Sequence, residues 1–146
     1  ASRAPITILD EPAAGLDVVM RERFYQLLLE DFAQTNRTFI VSTHIIEEAA
    51  SVFERVIILD EGRILENAET EALVSQFHYV SGRDDVVDQV CTGLQVLSTH
   101  QMGRHKTAAV RGDMVKLEDA LQADVDVSPM NLQNVFVSLC GHGDAQ

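Results

Sequence analysis

The sequence predicts an α/β fold: a parallel sheet with flanking helices comes first, and a small α+β domain follows it. In residues 1–76, short apolar runs alternate with amphipathic helical stretches, the pattern of parallel strands joined by crossover helices. Beyond residue 76 the elements shorten and follow the order strand, helix, strand, strand, helix, strand. The chain has 146 residues and is 46% hydrophobic, enough for one ordinary core or two small ones.

The first strand carries the most informative chemistry. Ile6-Thr7-Ile8-Leu9 runs directly into Asp10-Glu11-Pro12, and Pro12 cannot donate to a strand ladder, so two carboxylates are held at a strand end. In open parallel sheets that end is where ligands bind. One carboxylate suits a hard cation such as Mg²⁺, and its crowded neighbour suits general-base work. A buried strand ending in a solvated acidic turn is the alternative reading of the pair alone.

Asp17 is placed to cap a helix whose apolar face is Met20, Phe24, Leu27, Leu28 and Phe32, with Asn36 as a left-handed stop. A second apolar run, Thr38-Phe39-Ile40-Val41-Ser42, ends in Thr43-His44 before a short helix with Glu47 and Glu48 in its first turn. The intervening helix makes this a βαβ unit, so the two strands should be parallel. Residues 55–60 form a further strand. Asp60-Glu61-Gly62 is a tight turn in which Gly62 takes positive φ, and 63–67 return antiparallel.

Together these blocks resemble the ATP-binding subunits of ABC transporters. Ile6 to Pro12 is similar to a Walker B strand with its glutamate, and Ala14-Gly15-Leu16-Asp17 to the D-loop. Thr43-His44 is similar to the H-loop, and Arg55 to Ile64 also matches the family pattern. The resemblance implies a partial P-loop NTPase-like sheet in which Asp10 organises Mg²⁺ and ATP, Glu11 polarises the attacking water and His44 reaches the γ-phosphate. It also implies that Ala14, Gly15, Leu16 and Asp17 contact a second ATPase subunit. Ala13 stands where the family often has Thr or Ser, and neither the usual glycine near Asn67 nor the proline near Thr70 is found.

No G-x-x-x-x-G-K-[ST] phosphate loop and no Leu-Ser-Gly-Gly signature occurs in the chain. The resemblance is therefore to the carboxyl part of such a subunit, and these residues alone are expected to be inactive. Residues 1–76 read as the carboxyl half of the nucleotide-binding domain and 77–146 as an accessory domain.

In that second part, strands are expected at 78–80, 95–99, 107–111 and 123–127, with helices at 84–92 and 114–121, the order of a ferredoxin-like split βαβ domain. A closing helix is expected with Ser128 as N-cap and Pro129 at its first position. Ser128 to Phe136 resembles the closing helix of drug- and lantibiotic-export ATPases, which implies export across a membrane with an integral-membrane partner subunit. The implied location is cytoplasmic and peripheral to the membrane.

A net charge of -12 lacks the basic footprint of nucleic-acid binding. Both parts are acidic, with 14 acids against 6 bases in residues 1–76 and 9 against 5 in 77–146. No run is long enough to span a bilayer. Cys91 and Cys140 lack metal-ligand spacing and read as reduced thiols, Cys91 within a core. His100, His105 and His142 read as exposed loop histidines. A reading of another class is a non-catalytic regulatory or dimerisation module. In either case a half-sheet with unpaired edges is expected to self-associate.

Overall fold

The computed structural model describes residues 4–112, Leu117 and 124–141. It forms two compact units, Ala1–Val52 and Phe53–Gln146.

In the first unit, strand β1 (Ile6–Asp10) runs parallel to β2 (Thr38–Ser42), with Ile6 opposite Thr38 and Asp10 opposite Ser42. Helix α1 (Val18–Thr35) makes the crossover. It starts where Asp17 Oδ1 accepts the N–H of Met20 at 2.9 Å, satisfying one of the free donors of the first turn. It stops where Asn36 enters the left-handed region, φ 51°, and returns its N–H to the Phe32 carbonyl. Helix α2 (Ile46–Val52) follows β2.

The buried face of α1 differs from the expected one. Tyr25 and Leu28 are buried with Phe24 and Phe32 half-buried, whereas Met20 and Leu27 are exposed. Tyr25 and Leu28 lie three residues apart on one side, and the polar positions Arg21 and Asp31 continue that side, so apolar spacing alone misplaced the stripe. Alternate residues of each strand are half-buried, Thr7 and Leu9 on β1 and Phe39 and Val41 on β2. Ile6, Ile8 and Ile40 occupy the exposed side.

The second unit opens with the hairpin of β3 (Arg55–Asp60) and β4 (Arg63–Glu69). Its two-residue turn has φ of 45° at Glu61 and 75° at Gly62, the mirror-image geometry that matches strand twist. Helix α3 (Thr70–Val74) begins with Thr70 donating its N–H to the Glu54 carbonyl at 2.8 Å and its hydroxyl to that of Phe53. A proline there would lack that N–H.

The remaining elements are β5 (Phe77–Arg83), α4 (Asp84–Val90), β6 (Gln95–Met102), β7 (His105–Arg111), β8 (Val125–Pro129) and α5 (Leu132–Cys140). The four strands form one antiparallel sheet in the order β6-β7-β5-β8, the spatial order of a split βαβ arrangement. Val80, Val87, Cys91, Ala108, Val110 and Leu117 pack together as its core. Gly82 permits β8 to approach β5, because a Cβ there would sit 3.0 Å from Val125 Cγ1. Arg111 fastens the hairpin to this sheet, donating to Glu66 and Gln76 with its guanidinium 5.1 Å from the Phe77 ring centroid.

The closing helix starts later than expected. Ser128 and Pro129 pair with Tyr79 and His78 at the end of β8, and Asn131 is the N-cap, its Oδ1 accepting the Asn134 N–H at 2.8 Å. Sheet pairing claims the Ser-Pro pair, and Pro129 is tolerated because β8 is an edge strand. The expected helix at 114–121 and His142 lie outside the described residues, Leu117 excepted. His100 and His105 stand in β6 and β7, not in loops. Among the described residues, no helix is long and apolar enough to cross a membrane.

Candidate functional site

The carboxyl ends of β1 and β2 lie side by side, and four polar residues meet there. Asp10 ends β1 directly opposite Ser42, and the Ser42 hydroxyl donates to Asp10 Oδ1. The chain then turns sharply, with Glu11 at φ 44°, an uncommon conformation for a residue with a side chain. This turn is held by the Glu11 N–H, which donates to the Ser42 carbonyl at 2.9 Å and reaches the Ser42 hydroxyl at 3.3 Å. Ala14 N–H closes back on the Glu11 carbonyl at 3.1 Å, and Ala13 is buried in the turn.

Glu11 is thereby aimed at the loop after β2. His44 Nδ1 lies 2.9 Å from Glu11 Oε2. The His44 side chain is 75% exposed and that of Glu11 36%, so the pair faces solvent and is open to a ligand. Beside His44, the Thr43 hydroxyl oxygen accepts the Ile45 N–H at 3.0 Å, which shapes the turn into α2.

The structure thus brings Asp10, Glu11 and His44 to one rim of the parallel pair. Ala14, Gly15 and Leu16 form the following loop, with Gly15 at φ 79°, and Asp17 is engaged as the cap of α1. Ser42 was missed by sequence reasoning. A serine at the end of an apolar run carries no signal until the strand register puts it opposite Asp10.

The oxygen donors here fit a hard cation: a carboxylate and a neighbouring hydroxyl suit Mg²⁺, which takes few protein ligands and completes its shell with phosphate oxygens and water. Among the described residues there is no group of three or more His, Cys, Asp or Glu arranged as a metal cage. Cys91 and Cys140 are both free thiols, and burial pushes both above their ordinary range, away from metal-binding thiolate.

The site is thus a parallel strand pair with adjacent carboxylates and a histidine at its carboxyl end. In sequence, the chain is similar to the C-terminal part of ABC-transporter ATP-binding subunits. It is 28% identical over 120 residues to the energy-coupling factor transporter ATP-binding protein EcfA2 of Staphylococcus saprophyticus, covering 82% of this chain and 42% of that protein. It is 41% identical over 61 residues to the thiamine import ATP-binding protein ThiQ of Haemophilus ducreyi, covering 42% of this chain and 29% of that one. It is 34% identical over 77 residues to the aliphatic sulfonates import ATP-binding protein SsuB 2 of Rhizobium johnstonii, covering 52% and 31%. The chain spans less than half the length of these relatives. No family model matches it. The export direction implied by the closing helix finds no support here, since two of these relatives are named for import.

Proposed function

We propose that this chain is the carboxyl part of an ATP-hydrolysing subunit that powers a membrane transporter from the cytoplasmic side. The observation that carries the reading is the contact between His44 Nδ1 and Glu11 Oε2 at the carboxyl end of a parallel strand pair, with Asp10 alongside. In this reading residues 1–76 are the carboxyl half of the nucleotide-binding domain and 77–146 an accessory domain. A second ATPase subunit meets the loop of Ala14, Gly15, Leu16 and Asp17, and an integral-membrane subunit completes the transporter.

Each residue then has a defined task. Asp10, steadied by the Ser42 hydroxyl, turns an oxygen toward the Mg²⁺–ATP complex. Mg²⁺, when bound, neutralises charge on the phosphate oxygens. Glu11 accepts a hydrogen bond from the attacking water and orients it, and His44, with Nδ1 beside the Glu11 carboxylate, reaches toward the γ-phosphate. Such catalysis is positional and electrostatic, so it depends on phosphate-cradling groups that this chain does not contain. Proximity effects of about 7–11 kcal/mol are at stake.

The test is ATP turnover in two settings. In a subunit carrying this chain after a phosphate loop, Glu11→Gln should lower kcat by roughly 10²–10⁴-fold with nucleotide affinity nearly unchanged. The 146-residue chain alone should show no turnover. Hydrolysis in the longer subunit that is indifferent to Glu11→Gln would overturn the assignment.

The reading as a regulatory or dimerisation module draws on a different feature. Strand β6 is an eight-residue sheet edge with no Asp, Glu, Lys, Arg or Pro, whereas the other edge, β8, has Asp126 and Pro129. Unprotected edges favour strand pairing with another chain. Monomeric behaviour of the chain in sedimentation would remove this support.

A further inference from the structure

We infer that Arg21 and Glu48, together with Tyr25 and Thr43, are positioning residues that hold the His44 turn against Glu11. This rests on the reading of His44 and Glu11 given above and adds to it the groups that keep them in register. The need for such groups follows from exposure: a His44 side chain that is 75% exposed gains little orientation from packing, so its direction is set by the backbone on either side of it.

Both sides are tied to one face of α1. Arg21 and Tyr25 lie four residues apart on that face. Before His44, Thr43 neighbours the hydroxyl of Tyr25, a buried residue 3% exposed, and its own hydroxyl oxygen takes the Ile45 N–H. After His44, Glu48 Oε1 on α2 forms an ion pair with Arg21 Nε at 3.2 Å, the two side chains being 21% exposed for Arg21 and 27% for Glu48. The two tethers flank the histidine at its preceding residue and one helical turn beyond it. A partly buried ion pair is screened less by salt than a surface one, and a buried tyrosine ring beside Thr43 leaves that side of the turn little room to move. Loss of either tether therefore lets the turn shift while the ring packing of α1 persists.

The experiment follows the imidazole nitrogens of His44 by ¹⁵N NMR in the 146-residue chain, in mildly alkaline solution where histidine is neutral. Because Nδ1 lies 2.9 Å from Glu11 Oε2, a neutral His44 is expected to carry its proton on that nitrogen, so the Nδ1–H tautomer should be the majority form and Glu11→Ala should make it the minority. Arg21→Met and Glu48→Gln should each shift His44 in the same direction. Tyr25→Phe, which keeps the buried ring and removes only the hydroxyl, should do so as well. The charge-swapped double variant R21E/E48R should return the Nδ1–H majority, which a merely structural loss would not do. If the unsubstituted chain lacks the Nδ1–H majority and ignores Glu11→Ala, the site reading itself fails. If it responds to Glu11→Ala but not to the Arg21, Glu48 and Tyr25 variants, with their backbone amide spectra otherwise unchanged, the positioning role is overturned.

Discussion

Ser42 donates its hydroxyl to the carboxylate of Asp10 across the parallel pair, joining the last residue of β1 to the last residue of β2. The same serine receives the backbone N–H of Glu11 on its carbonyl oxygen. One small residue therefore steadies the first carboxylate by its side chain and the turn of the second by its backbone.

Ser42→Ala should separate these two contributions. The carbonyl bond to Glu11 remains and the hydroxyl bond to Asp10 is lost, so the chain should lose about 1 kcal/mol of stability in urea unfolding. An unchanged midpoint would show that the hydroxyl bond contributes nothing.

Glu61 holds φ of 45° in the hairpin turn, where an ordinary side chain crowds the following carbonyl. Asparagine tolerates this conformation and is favoured before Gly62 in such turns. Glu61→Asn should therefore raise stability by about 1 kcal/mol, read as a higher unfolding midpoint. A lower midpoint would mean that the Glu61 side chain makes a favourable interaction that outweighs the backbone cost.

His78 is buried in β5, and burial pushes its imidazole below the ordinary histidine value. The folded state thus prefers the neutral ring. The resulting stability is fully present above the unfolded value of about 6.5 and is lost as pH falls through the lower native value. The melting temperature should drop as pH falls from about 6.5 toward the lower native value, and His78→Leu should flatten the part of the profile due to this group. A profile identical in the two proteins would exclude His78 as its source.

Much of the local structure was legible from residue type alone. Asp17 and Asn36 mark the ends of α1 because one offers a side-chain acceptor to a free N–H and the other tolerates positive φ. Gly62 marks the hairpin turn for the same steric reason. The alternation of strands and helices, and the strand order implied by the later elements, follow from periodicity and connection rules. The site was legible to the extent that Asp10, Glu11 and His44 each follow an apolar run.

By itself, then, the sequence determined which segments become strands and helices, and that its carboxylates and histidine stand at strand ends, because caps, turns and periodicity act over a few neighbouring residues. Only the tertiary structure decided that Ser42 meets Asp10, that Tyr25 and Arg21 rather than Met20 face inward on α1, and that Ser128 and Pro129 join β5 instead of starting a helix. Those outcomes depend on strand register and on competition between distant partners for the same backbone groups, which no local pattern encodes.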